Sequence, residues 1–225
     1  MHDRERHTAA RLDRALAQWI RPALYPLREP LTVGAWHVPG EPVAVERALA
    51  ADYEPFAPAT PWGPPWSTMW LHVTGVVPTA WAGRHVDVLV DLGFTDAWPG
   101  FQAEGLAFDA LGVPVKGVAP RNQHVPVAVV AAGGEPIDLY VEAAANPMPM
   151  LGFRTWPPSP LGDRATAGTE PLYRFAGAEV AARDEAVWHL IHDLDVLSQL
   201  GGQLPPGQRR AEIWHAIGRA LDALD

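Results

Sequence analysis

Between residues 31 and 175, apolar side chains recur at every second position in short runs broken by glycine and proline, and no long helical segment separates the runs. Period-two alternation sends successive side chains to opposite faces, so each run describes a half-buried strand. In 84–92, Val86, Val88 and Val90 point one way, while His85, Asp87 and Asp91 point to the wet side. Ile137, Leu139 and Val141 alternate with Asp138, Tyr140 and Glu142 in the same manner. Further runs fall at 31–38, 68–76, 102–109 and 124–130. Asp109-Ala110-Leu111-Gly112 and Gly133-Gly134 carry hairpin turn chemistry. A parallel sheet needs crossover helices and none is visible. The pattern therefore predicts a mainly β chain, an antiparallel β-sandwich of jelly-roll type with flanking helices.

Helical periodicity appears on both sides of this region. From Asp3 to Ile20, Leu12, Leu16, Trp19 and Ile20 fall on one stripe, with Pro22 and Pro26 ending the segment. Such a stripe is expected to pack against the sandwich or a later domain. From Ala178 onward the helical period returns. Val187, Leu190, Ile191, Leu194 and Leu197 form one stripe, closed by Gly201-Gly202 and Pro205-Pro206. Trp214, Ile217, Leu221 and Leu224 form the next, as a helical hairpin or two helices in line. The expected division is a helical lead-in at 1–30, a sandwich at 31–176 and a helical linker at 177–225. The last residue, Asp225, falls inside a helical pattern, as a truncated boundary would.

Composition narrows the function classes. Seventeen basic against 26 acidic residues leave a net charge of −9, which repels phosphate backbones and argues against nucleic acid. Cysteine is absent, which removes disulfides, thiolate zinc sites and cysteine nucleophiles. Prolines interrupt every apolar run short of a membrane span, and the charged opening Met1-His2-Asp3-Arg4-Glu5-Arg6-His7 lacks the apolar stretch of a signal peptide. A cytoplasmic protein is expected. The 24 prolines and 20 glycines, beside an apolar share of 48%, fit a folded body with many turns.

Most candidate chemistry fails on inspection. His189, His192, Asp193 and Asp195 have the helical spacing of metal ligands, but the segment is amphipathic and the glutamate of an HExxH arrangement is missing. Solvated helix polarity is the expected role, with no metal bound. Glu104 and Glu142 are the carboxylates embedded in otherwise apolar strands, and glycoside hydrolysis needs two acids about 5 to 10 Å apart. Nothing else of a catalytic constellation accompanies them, and no catalytic residue is assigned.

The densest aromatic run is Trp62-Gly63-Pro64-Pro65-Trp66-Ser67-Thr68-Met69-Trp70. If extended, it puts Trp66, Thr68 and Trp70 on one face. Such a row could stack on sugar rings or support a neighbouring domain, and packing is the stronger reading because tryptophan's large area serves packing first. Trp62, Trp66, Trp70 and Glu104 are the candidate substrate-binding or interdomain residues. Trp98-Pro99-Gly100-Phe101 and Arg154-Thr155-Trp156-Pro157-Pro158 receive the packing reading, and Met148, Pro149 and Met150 that of loop filler.

The ordered series formed by that tryptophan run, Pro99-Gly100-Phe101-Gln102-Ala103-Glu104-Gly105, Val115-Lys116-Gly117, Leu139-Tyr140-Val141-Glu142-Ala143-Ala144-Ala145-Asn146-Pro147 and Leu161-Gly162-Asp163-Arg164-Ala165-Thr166-Ala167-Gly168 resembles the amino-terminal region of bacterial class II α-mannosidases. These are glycoside hydrolase family 38 enzymes of the cytosolic or vacuolar type, and the likeness is actinobacterial. The resemblance implies a sandwich and helical linker placed before a larger barrel domain. That domain would hold a divalent metal, usually zinc, on histidines and aspartates including a His-x-His-x-Asp run, with an aspartate nucleophile and retention of configuration. No His-x-His-x-Asp occurs here, so no catalytic or metal residue carries over. The implied partners are that catalytic domain, mannose-containing oligosaccharide and a second copy of the chain. A free-standing carbohydrate-binding sandwich is the alternative. The chain departs from the family pattern at Met69, where a polar residue is expected.

Overall fold

The structure is a computed structural model. It describes residues 2–95, 99–100, 102–147 and 167–224, with side chains from Glu5 onward. The readings on Trp98, Phe101, Met148, Pro149, Met150, 154–158 and 161–166 lie outside the described residues. Contacts group the chain into two units, 28–181 and 1–27 with 182–225.

The β unit is built on two main sheets. Strands β1 (Leu27–Pro30), β12 (Gly177–Arg183), β6 (His85–Asp91) and β9 (His124–Ala128) form one, in that order. The other runs β3 (Glu54–Pro55), β2 (Thr32–His37), β5 (Thr68–Val76), β10 (Pro136–Ala144), β7 (Glu104–Asp109) and β8 (Pro114–Val118). A two-stranded ribbon pairs β4 (Pro61–Trp62) with β11 (Tyr173–Arg174). The ladders of the six-stranded sheet and the β6–β9 ladder are antiparallel, and β10 pairs along its whole length with β5. The jelly-roll expectation holds, and the period-two reading places β2, β5, β6, β7, β9 and β10.

Cross-strand register explains the composition of each face. Leu71, Val73, Ala107, Val141 and Ala143 occupy alternate positions and are buried, as are Val86, Val88 and Val90 of the other sheet. Met69 shares this register and is buried, which gives a physical reason for an apolar residue where a polar one was expected. Full burial of such a side chain stabilises by about 1.5–3 kcal/mol.

Three strand-level expectations need correction. Asp87 is not on a wet face but is 0% exposed, with His85 Nε2 3.5 Å from its carboxylate. Its charge also acts on Lys116: burial lowers the pKa of that ammonium, and Asp87 partly restores it. Gly133-Gly134 does not join a hairpin, because β9 and β10 belong to different sheets. The glycines serve a tight sheet-to-sheet connection: a Cβ on Gly133 would lie 2.7 Å from the Thr79 carbonyl oxygen. Residues 177–183 form a strand before the helical period begins. A short helix, α2 (Val45–Leu49), interrupts the β region and packs Ala48 beside Val38, Trp70 and Phe108.

The helical unit holds α1 (His2–Ala15), α3 (Glu185–Gln203) and α4 (Gln208–Asp222). The stripe of α1 packs against the C-terminal helices of its own unit: Leu12, Ala15, Leu16 and Ile20 share a core with Ile191, Leu194, Ile217 and Leu221. Asp184 caps α3 by accepting the Val187 N–H at 3.0 Å. After α1 the chain makes a π-helical turn over Leu16–Ile20, with Arg21 N–H donating to the Leu16 carbonyl at 3.0 Å. The wider turn changes the angular phase, and Trp19, expected on the core stripe, is 62% exposed. Leu224, expected on the α4 stripe, is exposed as well.

Candidate functional site

The starts of β5 and β7 and the end of β10 meet at one end of the sandwich, because the ladders pair Thr68 with Ala144 and Ala144 with Glu104. Three of the four candidate residues, Trp62, Trp66 and Glu104, gather there. Pro64-Pro65-Trp66-Ser67 is a β-turn, closed by the Ser67 N–H donating to the Pro64 carbonyl at 3.0 Å. Trp66, its third residue, has φ 64°, a conformation glycine normally takes in such turns and one that costs a bulky residue on the order of 1–2 kcal/mol. Two bonds clamp the turn to the end of β10: Trp66 N–H donates to Ala145 O, and Ala145 N–H to Ser67 O, each at 2.9 Å. The Trp66 ring is half-buried, and its indole nitrogen is buried with no hydrogen-bond partner among the described residues. This turn breaks the extended geometry that would align Trp66, Thr68 and Trp70.

Trp62 is 1% exposed, donates its indole N–H to Leu92 O at 2.8 Å and lies 5.3 Å, centroid to centroid, from the Tyr173 ring. The Tyr173 hydroxyl donates to Asn146 O. Burial pushes that phenol up to about 12, partly offset by a backbone hydrogen bond at Ala103. The Asn146 side-chain amide in turn donates to Glu104 Oε1 at 2.9 Å and to Gln102 O at 3.3 Å. Gln102, fully buried, mimics a strand partner for Thr95, accepting its N–H at 2.9 Å and donating to its carbonyl at 3.0 Å. Glu104 is thus an exposed carboxylate oriented by a fixed amide, at the rim of a packed aromatic cluster.

Trp70 lies elsewhere. It is 1% exposed on the face of the six-stranded sheet that α2 covers, 5.2 Å from the Phe108 ring. In register it sits directly across from Glu142, which sits directly across from Leu106. Glu142 is half-buried, and burial raises its carboxyl pKa. Glu104 is two register positions away on the same face, a diagonal neighbour at about 7–8 Å between backbones. The two acids share a face, but Glu104 is exposed and hydrogen-bonded to an amide, an arrangement suited to orienting a contact.

The sequence reading missed a second aromatic group on this face. His72 stacks on its cross-strand partner Tyr140 at 4.4 Å and 8°, and Asp138 holds the His72 Nε2 at 2.8 Å. Tyr53 packs against both rings and donates its hydroxyl to Ala48 O at 2.9 Å, tying the end of α2 down. Burial, then the Tyr140 phenol, push the Tyr53 pKa up. The signal was present in the polar side of the Ile137-to-Val141 alternation, but pairing with His72 required the β5–β10 register.

His189 and Asp193 are exposed on α3. His192 Nδ1 lies 2.8 Å from its own helix's Trp188 carbonyl, and its ring packs on Trp188 at 4.4 Å. Among the described residues, no three histidine, aspartate or glutamate side chains are grouped to hold a metal, and no helix is long and apolar enough to cross a membrane.

Comparison with known proteins gives three findings. A family model described as the jelly roll domain of alpha-mannosidase matches residues 28–181. Alpha-mannosidase 2C1 of Mus musculus is 23% identical over 190 residues, covering 82% of this chain and 17% of that protein's length. Among solved structures, β-glucuronidase from Ruminococcus gnavus aligns in its apo form with a TM-score of 0.40 at 12% identity, covering 72% of this chain and 30% of that one. Its complex with D-glucuronic acid aligns with a TM-score of 0.38, also at 12% identity and with the same coverage.

Proposed function

Because the chain belongs to the alpha-mannosidase jelly-roll family, we propose that it is the non-catalytic front part of an exo-acting α-mannosidase that removes terminal α-mannose from oligosaccharides. The family match over residues 28–181 carries this reading. In it, a partner domain of glycoside hydrolase family 38 performs retaining hydrolysis with zinc or another divalent metal, in the cytoplasm. The chain supplies the surface on which that domain sits. Exposed Trp19 and Val196 on the helical unit support a docking role, since large apolar side chains in water are a standing cost that a partner removes. The exposed rim carboxylate Glu104, oriented by Asn146, is the residue we place nearest substrate or partner.

The test is co-expression of the chain with a family barrel domain carrying His-x-His-x-Asp, followed by an aryl α-mannoside assay with and without zinc. Co-purification with turnover only in the complex is expected. Turnover by the chain alone overturns the reading. Saturable tryptophan quenching by mannose at millimolar concentration, without any association, favours a free-standing carbohydrate-binding sandwich instead.

A further inference from the structure

A crevice of about 300 Å³ opens between α1 and α4 of the helical unit. That volume is at the small end of ligand pockets, enough for one compact molecule. One wall is Trp214, whose indole nitrogen edge lies against α3: a Cβ on Gly201 would stand 3.0 Å from it. Across from it are Thr8 and Arg11 of α1.

The floor is open because Gly218 and Ala211 carry little or no side chain. Gly218 is the informative residue. It sits inside α4, where glycine disfavours helix relative to alanine. Packing does not demand it, since a Cβ there would meet nothing closer than Thr8 Cγ2 at 3.9 Å, an ordinary contact. Its φ is not in the left-handed region either. The glycine therefore keeps space rather than closing a contact or making a turn.

The two acids and two arginines of the lining balance in number but not in pairing. Arg11 is paired with Asp222 at 2.7 Å, and Glu5 with Arg210 at 3.0 Å. Both acids of the lining are thus already matched. Arg219 lines the crevice with no ion-pair or hydrogen-bond partner among the described residues, and His215 stands one helical turn before it on the same face. In a chain of net charge −9, a guanidinium without an acidic partner beside an aromatic-walled crevice is a ready contact for an anion. Guanidinium groups bind carboxylate and phosphate oxygens in a planar fork.

We propose that this crevice binds a small organic anion, a phosphate or carboxylate carried on a compact body, with Arg219 receiving the anionic group and Trp214 the body. The site is independent of the α-mannosidase reading and stands or falls without it. The test is a titration of the ¹⁵N-labelled chain at constant ionic strength, following the Trp214 indole and Gly218 amide signals. The probes are inorganic phosphate, acetate, mannose 6-phosphate and uncharged mannose. Saturable shifts with mannose 6-phosphate below about 10 mM, weakened at least tenfold in Arg219→Gln and abolished in Gly218→Leu, are expected. The phosphate and acetate arms tell the two anion classes apart. Gly218→Ala, which leaves most of the space, controls for helix effects and keeps binding. Absence of shifts with every anion, equal shifts with uncharged mannose, or undiminished binding in Arg219→Gln overturns the proposal.

Discussion

Tyr173→Phe isolates one buried hydroxyl whose proton contributes to stability. In the native chain the phenol donates to the Asn146 carbonyl within the Trp62 cluster, and burial holds its pKa at about 12 against an ordinary value near 10. The variant loses that bond and leaves the carbonyl without its donor, a loss of about 1–2 kcal/mol at pH 8. The pH dependence is more discriminating. The folded pKa lies above the unfolded one, so the native state holds the proton more tightly. That contribution is fully present below pH 10 and is lost as pH rises toward 12. Linkage across this window gives about 2 kcal/mol for the wild type, and phenylalanine has nothing to ionise. The wild-type advantage at pH 8 therefore closes or inverts by pH 12. The measurement is urea unfolding of both proteins by circular dichroism between pH 8 and 12, a range free of thiol chemistry because the chain has no cysteine. Tyr53 and Tyr140 titrate in both proteins and drop out of the difference. A gap that stays constant through pH 12 refutes the reasoning.

Three further outcomes follow from named contacts. Gly93→Ala places a Cβ 2.2 Å from the Arg174 carbonyl oxygen at a φ of 94°, so backbone must move. A loss of about 3 kcal/mol is expected in denaturant melts, with soluble yield falling accordingly. Ile217→Ala, fully buried in the helical core, costs about 2–5 kcal/mol, read as a lowered midpoint in thermal unfolding. Trp62→Phe keeps an aromatic ring but strands the Leu92 carbonyl; about 1–3 kcal/mol is lost, with near-ultraviolet circular dichroism reporting the disturbed Tyr173 contact.

The strands that were legible in the sequence were those with one buried and one wet face, such as Ile137 to Val141, because alternation is printed directly into residue type. Residues 177–183 escaped because Ala181 is buried between Glu179 and Arg183, which interrupts the polar side that would otherwise alternate with Ala178, Val180 and Ala182. Asp87 misled for the opposite reason: a polar residue reads as exposed unless its compensating His85 and Lys116 are known to be near, and Lys116 lies 29 residues away in sequence. The candidate site was half legible. Glu104 stood out as a lone acid in an apolar strand, but its partner Asn146 comes from another strand end. The tryptophans were conspicuous as a group, yet residue type could not say which of them the sheets would cover.

Local rules were enough for the sandwich class, the flanking helices, the turn at 109–112 and the lack of thiol chemistry, since each follows from neighbours a few positions apart. Register, by contrast, is a long-range property. Whether Trp70 faces α2, whether Glu104 meets Asn146, and whether α1 pairs with α4 depend on contacts between residues tens to hundreds of positions apart. One such choice, the π-helical turn at Leu16–Ile20, rotated Trp19 out of a stripe that periodicity alone had assigned to the core. Side-chain spacing sets what each segment can bury, but only the packed whole decides what it is buried against.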